Sequence, residues 1–166
     1  MLRTVDLSDD PRYVVVDGRR WRATDPGVPE QLRRELVAEL MSARRAIATA
    51  DDVAGARGRV QDAKVALGER GEPWWEAASP EGRAERLAAA MRTLLRHRAP
   101  TSTICPSDAA RVVAGDRFRS AMDDARRVAG QLREAGIVRT TQKGKDVDPL
   151  AVRGPLRIGR GPQWNA

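Results

Sequence analysis

At Gly136 the hydrophobic period of this chain changes, and that change constrains the fold more than any other feature of the sequence. Before it, apolar residues recur at spacings of three and four. Leu87, Met91, Leu94 and Leu95 mark a helix that Ser79 can cap and that ends near His97. Pro106 or Ser107 opens a short helix running through Val113, closed by Ala114-Gly115. A long helix is predicted from Arg117 to Ala135, with Phe118, Met122, Ala125, Ala129 and Leu132 as its core stripe. After Gly136, Ile137 to Gln142 reads as a strand, Lys143-Gly144-Lys145-Asp146 as a turn, and Val147 begins a return. Asp148-Pro149 interrupts that return, and Leu156-Arg157-Ile158 completes the ribbon.

Three helices, the second short, followed by a two-stranded ribbon is the order of a winged helix. In helix-turn-helix proteins the last helix usually enters the major groove. Arg119, Arg126 and Arg133 repeat every seven residues, which drifts by only about 20° per heptad, so on one continuous helix they align. Lys143 and Lys145 at the ribbon tip would reach a flanking phosphate, and Arg139 lies on the strand leading there. Asp123 and Asp124 on the same helix repel phosphate and argue against groove insertion. Winged helices also serve as protein-binding modules, so the fold alone does not set the partner.

The N-terminal half is organised differently. Tyr13-Val14-Val15-Val16 and Arg19-Arg20-Trp21-Arg22 flank Asp17-Gly18, a strong hairpin signal because both turn positions need positive φ. Trp21 is expected to cover one face of that hairpin. From Pro29, Leu32, Leu36, Leu40, Ala43 and Ile47 form the stripe of one helix; Asp51 or Asp52 caps a second, striped by Val53, Ala56, Val60, Ala63 and Leu67. The two helices should pack as an antiparallel pair. Gly68-Glu69-Arg70-Gly71-Glu72-Pro73-Trp74-Trp75 is the most unusual loop. Trp74, Trp75 and Arg70 are the candidates for partner contact. The competing reading has both indoles anchoring the loop, and the scarcity of aromatics in the core favours it, since one buried Trp contributes several kcal/mol.

Charge is spread unevenly. Residues 1–76 hold 13 Lys and Arg against 14 Asp and Glu, whereas residues 77–166 hold 17 against 9. The whole excess of +7 therefore lies in the second half, as an asymmetric nucleic-acid footprint would have it. An arginine-rich composition can also simply solvate a surface, but that would charge both halves alike. One His and one Cys cannot build a His/Cys metal cluster, and no phosphate-cradling glycine loop is present. The paired carboxylates Asp9-Asp10, Asp51-Asp52 and Asp123-Asp124 sit where capping or exposure explains them, and Glu69, Arg70 and Glu72 are the residues left for an enzyme reading. Cys105 before Pro106 reads as a buried small hydrophobe. No apolar run approaches the roughly 18 residues of a membrane span, and Met1 to Asp10 lacks a signal pattern, so a cytoplasmic protein is expected.

Thr103-Ile104-Cys105-Pro106-Ser107-Asp108-Ala109-Ala110-Arg111, Thr140-Thr141-Gln142-Lys143-Gly144-Lys145-Asp146-Val147-Asp148-Pro149 and Arg153-Gly154-Pro155-Leu156-Arg157-Ile158 resemble a small bacterial family, the domain of unknown function 3253. The resemblance covers roughly Arg83 to Arg160 and implies a winged-helix fold, with no activity attached. The N-terminal half resembles an uncharacterised bacterial hairpin-plus-helices segment through Val16 to Arg22 and Gly68 to Trp75.

These observations predict a mainly helical α+β protein in two units, 1–76 and 83–166, joined by a 77–82 linker. The first unit holds a β-hairpin and an antiparallel helix pair, the second a winged helix with a basic surface. The expected function is non-catalytic DNA or other nucleic-acid binding, regulatory or architectural, through Arg119, Arg126, Arg133, Arg139, Lys143 and Lys145. A protein-interaction module is the alternative and an enzyme the third. Neither cofactor nor metal is expected.

Overall fold

Val14 and Val15 propagate the first strand and Asp17-Gly18 reverses it, with φ of 51° and 74° at the two turn residues. The computed structural model describes residues 4–49 and 51–165; Met1–Arg3 and Ala166, the outer ends of the two predicted units, lie outside the described residues. β1 (Val5–Leu7), β2 (Tyr13–Val16) and β3 (Arg19–Arg22) form an antiparallel sheet in that order. The β2–β3 hairpin is the predicted one, in the register Val14↔Trp21 and Val16↔Arg19. β1 was not expected: three residues inside an acidic, polar stretch carry too little periodicity to show.

α1 (Glu30–Thr49) buries Leu32, Leu36, Leu40 and Ala43, and α2 (Val53–Ala66) buries Ala56, Val60 and Ala63 against it. Asp52 caps α2 by accepting from the Gly55 N–H at 2.8 Å. α3 (Pro80–His97) begins at the predicted Ser79 cap, whose hydroxyl accepts from the Gly82 N–H at 3.0 Å. α4 (Pro106–Ala114) follows, then a 3-10 segment (Gly115–Ala121) and α5 (Met122–Glu134). The last sheet pairs β5 (Lys145–Asp146), β4 (Val138–Gln142) and β6 (Arg157–Arg160), antiparallel, with β4 in the middle. Ile104, between α3 and α4, exchanges backbone hydrogen bonds of 2.9 and 2.8 Å with Ile158 of β6. The chain is thus α+β and mainly helical, as expected.

The predicted single helix from Arg117 to Ala135 is two pieces. Arg117 leaves helical geometry (φ −89°, ψ 20°) and Ala121 sits at φ −104°, ψ 0°, so the α-helix starts only at Met122. Just before the break the chain passes close to Gly27, where a side-chain Cβ on Gly115 would lie 2.8 Å from the Gly27 carbonyl oxygen. Gly115 adopts φ 54° to pass that point, and the chain tightens into 3-10 geometry beyond it. The ribbon turn is also shorter than expected: Lys143 and Gly144 alone make it, while Lys145 and Asp146 already pair with Gln142 and Thr141.

α3 joins the two halves. It packs on α1 and α2 on one side and on α4 and α5 on the other, and the buried residues of both halves form one continuous cluster. Leu87, Met91, Leu94 and Leu95 are fully buried within it. A row of arginines reinforces the join. Arg86 meets Asp25 at 2.9 Å, and Arg92 and Arg96 share Asp62 at 2.7 and 2.5 Å. Arg98, just past the helix, grips Glu35 with bonds of 2.8 and 3.0 Å.

Burial opposes ionisation of Asp62, but the Arg92 and Arg96 guanidiniums outweigh it and hold the carboxyl below the usual carboxylate range. A depressed folded-state pKa means that this stabilisation is complete above the unfolded value of about 4 and is lost as pH falls through the folded value. Replacing Asp62 strands two partly buried guanidiniums. Asp62→Ala is therefore expected to lower unfolding stability by about 3 kcal/mol at neutral pH, measured by urea denaturation. The variant should also lose less stability than the parent when the titration is carried below about pH 4.

Candidate functional site

Most arginines of the C-terminal half are committed to the protein itself. Besides the α3 row, Arg160 donates to the Leu95 carbonyl at 2.8 Å and to the Arg98 carbonyl at 3.3 Å, closing the C-terminal end of α3 where cations are favoured. Part of the positive excess of residues 77–166 therefore answers carboxylates of the first half, and the electrostatic footprint is smaller than the raw charge asymmetry implies.

The six residues predicted to contact nucleic acid divide accordingly. Arg126 is a clamp: its guanidinium donates to the carbonyls of Pro149 and Val152, each at 3.0 Å, and of Gly154 at 2.5 Å. Arg133 reaches across to β5 and pairs with Asp146 at 2.8 Å. Arg119 lies in the 3-10 segment and stacks 4.9 Å from the Phe118 ring centroid. The predicted line of Arg119, Arg126 and Arg133 does not form, because a heptad repeat aligns residues only while the helix is continuous. Arg139, Lys143 and Lys145 are exposed, and among the described residues their side chains make no hydrogen bond, ion pair or ring contact.

Lys143 and Lys145 lie at the ribbon tip, whereas Arg139 lies toward the other end of β4, opposite Gly159, and on the face opposite to Lys145. Arg139 points outward from β4, between the inward Val138 and Thr140, which are buried. Lys143 and Gly144 turn the chain with φ of 51° and 77°. A two-residue turn of this kind favours Asn or Gly at its first position, so a lysine there is held at a cost of about 1–2 kcal/mol. Arg153 and Arg157 belong to the same end and were missed. Arg153 is exposed and its carbonyl accepts from the Gln142 side chain at 2.7 Å, while Arg157 faces Thr141 across β4–β6 and donates to Thr103 Oγ1 at 2.8 Å. The signal was present in Arg153-Gly154-Pro155 and Leu156-Arg157-Ile158, but the interrupted return strand hid their proximity to the tip.

α5 carries little net charge on its surface. Asp124 pairs with Arg83 at 3.2 Å and also with Arg127. Asp123 and Glu134 are exposed, which offsets Arg127 and Arg133, and Arg126 is turned to the loop. Among the described residues, Lys143 and Lys145, whose side chains have no ion-pair partner, lie at the ribbon tip and not on this helix.

The tryptophan loop is tied to the N-terminal sheet. The Trp74 indole N–H donates to the Ala23 carbonyl at 3.0 Å, and Trp75 packs against both Trp74 and Tyr13 at ring-centroid distances of 5.2 and 5.5 Å. Arg12 and Arg22 lie over the Trp75 ring, and Arg22 also donates to the Gly71 carbonyl at 2.9 Å. Both indoles are half-buried, whereas Arg70 is exposed and bonds to Gln61 at 2.7 Å. The acids of this loop do not converge on a reacting centre. Glu69 accepts from Thr24 at 2.9 Å, and Glu72 accepts from the hydroxyl and N–H of Ser79, bonds that lower its carboxyl below the usual range. Cys105 is half-buried rather than buried; it stands before α4, with its N–H bonded to Asp108 at 3.0 Å. No group of three or more His, Cys, Asp or Glu suited to a metal occurs among the described residues, nor does any helix long and apolar enough to cross a membrane.

The C-terminal half matches the family model described as Protein of unknown function (DUF3253), over residues 84–161, close to the predicted span. The match begins inside α3 and takes in every element through β6. None of the curated proteins matches the chain.

The Arg126 clamp has a direct test. Arg126→Met removes three charge-assisted bonds to the 149–154 carbonyls and is expected to cost about 2 kcal/mol. Trypsin cleavage after Arg153 should accelerate clearly in the variant, and unchanged cleavage would show that the loop holds itself.

Proposed function

We propose that residues 80–160 act as a winged-helix module that binds nucleic acid through the phosphate backbone, with the ribbon tip rather than α5 as the contact. The observation that carries this reading is the set of exposed cations at the ribbon tip that form no ion pair among the described residues: Lys143, Lys145 and Arg153, the last tied there by its carbonyl bond from Gln142. All three are exposed, whereas Arg126 and Arg133 of α5 are engaged by carbonyls and by Asp146. The order of α3, α4, α5 and the β4–β6 ribbon, with Ile104 bridged to β6, supports the winged-helix assignment. The balanced charge of α5 speaks against base reading in the major groove, so the binding is expected to be of low sequence specificity and without a chemical step. A protein partner is the second reading. It rests on Leu150, 64% exposed on the loop that Arg126 clamps.

Three phosphate contacts predict a log–log salt slope of about −2.7, and each contact removed reduces it by about 0.9. Fluorescence anisotropy with a labelled random duplex, run from about 50 to 200 mM salt, measures both affinity and slope. Lys143→Glu with Lys145→Glu is expected to weaken binding at least about tenfold and to flatten the slope by about 2. Arg126→Glu is the wrong probe, because it would release the loop. Absence of binding at low salt, or a double variant that binds as the parent does, overturns the nucleic-acid reading in favour of a protein partner.

A further inference from the structure

The N-terminal sheet has one face that the core does not use. Alternation along β2 and β3 places Tyr13, Arg20 and Arg22 on the side of Trp75, where Arg20 lies over the Tyr13 ring at 3.7 Å and Arg22 over Trp75 at 5.6 Å. The opposite face carries Val14, Val16 and the cross-strand Trp21, with Val5 of β1 opposite Val16. None of these four is buried and none joins the continuous core. Val5 and Trp21 are 63% and 41% exposed, and both line a cleft of about 560 Å³ closed on its other side by α1 and α2. That volume lies within the roughly 300–1,000 Å³ of small-molecule sites.

The floor of the cleft is cationic. Arg44 of α1 and Lys64 of α2 both line it, and neither forms an ion pair or hydrogen bond among the described residues. Arg22 is engaged by loop carbonyls and Arg19 stacks on Trp21 at 4.8 Å. The acids of the lining are Asp17, at the hairpin turn, and Glu69, already bonded to Thr24. Burial pushes the Lys64 ammonium below its usual range, against the pull of Glu69 and with the help of the Arg70 and Arg44 cations. A neutral apolar guest would desolvate Lys64 further without compensation, whereas an anion would favour its charged form.

We propose that this cleft binds a small amphipathic anion, with its apolar body against Val5, Val14, Val16 and Trp21 and a carboxylate or sulfonate held by Lys64 and Arg44. The site is independent of the ribbon tip and does not rest on nucleic-acid binding.

Titration of the full chain with anilinonaphthalene sulfonate tests the proposal, with decanoate, naphthoate and decanol as competitors. Saturable single-site binding is expected. Decanoate or naphthoate should displace the probe, the better of the two identifying an aliphatic or an aromatic guest, and decanol should compete about tenfold less well. Lys64→Met with Arg44→Met should weaken probe binding by about tenfold or more. Lys64→Gln, which keeps most of the stem, should show a loss in the same direction if the double variant fails to fold. Non-saturable binding, equal competition by decanol, or probe affinity unchanged in these variants overturns the proposal.

Discussion

The structure depends on how α3 is held. It makes most of the packing between the two halves, and its apolar residues alone would let it slide or rotate, since Leu87, Met91, Leu94 and Leu95 make non-directional contacts. The arginines remove that freedom. Arg92 and Arg96, one turn apart, converge on a single carboxylate of α2, while Arg86 reaches Asp25 and Arg98 reaches Glu35 of α1. Paired charges of this kind contribute little net free energy over a hydrophobic replacement, because desolvation offsets most of the attraction. Their effect is on alternatives: a displaced α3 would leave several charges partly buried and unpaired. With α3 located, the position of α4, α5 and the last sheet follows from contact with its other side.

That arrangement explains why the fold was largely legible in the sequence and the site less so. Hydrophobic period is local, and Leu32 to Ile47, Val53 to Leu67 and Leu87 to Leu95 each report their helix without knowledge of the rest. Capping residues are local too, and Asp52 and Ser79 are where the pattern put them. What failed was set by distant neighbours. The expected long helix is replaced at its start by a 3-10 segment that follows the close pass of Gly27 at Gly115, and nothing between Asp116 and Ala121 signals it. β1 depends on β2 for its pairing and has no pattern of its own.

The site residues show the same division between local and long-range information. Charge was counted by half of the chain, and a count cannot tell a guanidinium facing solvent from one facing Asp62. Arg126 and Arg133 are indistinguishable from Arg139 in sequence, yet one holds three carbonyls, one holds Asp146, and one is unpaired. The lysines of the turn were legible because a turn between two strands must be exposed. Arg153 was not, because the loop that brings it to the tip folds back through side-chain bonds to Arg126 and Gln142 rather than through a strand pattern.

Those side-chain bonds also bear on what the ribbon end can do. Gln142 bonds the carbonyls of Arg153 and Pro155 at 2.7 and 3.0 Å, and Arg126 bonds three carbonyls from Pro149 to Gly154. A loop of this length left to itself would sample many conformations, and ordering it on contact would cost about 1–2 kcal/mol for each residue fixed. Here the folded protein has already ordered it, so Arg153 is presented beside Lys143 and Lys145 before any partner arrives. The strained lysine at the turn fits the same economy of motion, since its backbone is set by the β4–β5 register rather than by its own preference. Pre-ordered cations lose little freedom when they meet an anion. In the proposed reading, the three tip cations are therefore better placed to meet a phosphate than the arginines whose charge the protein has already used.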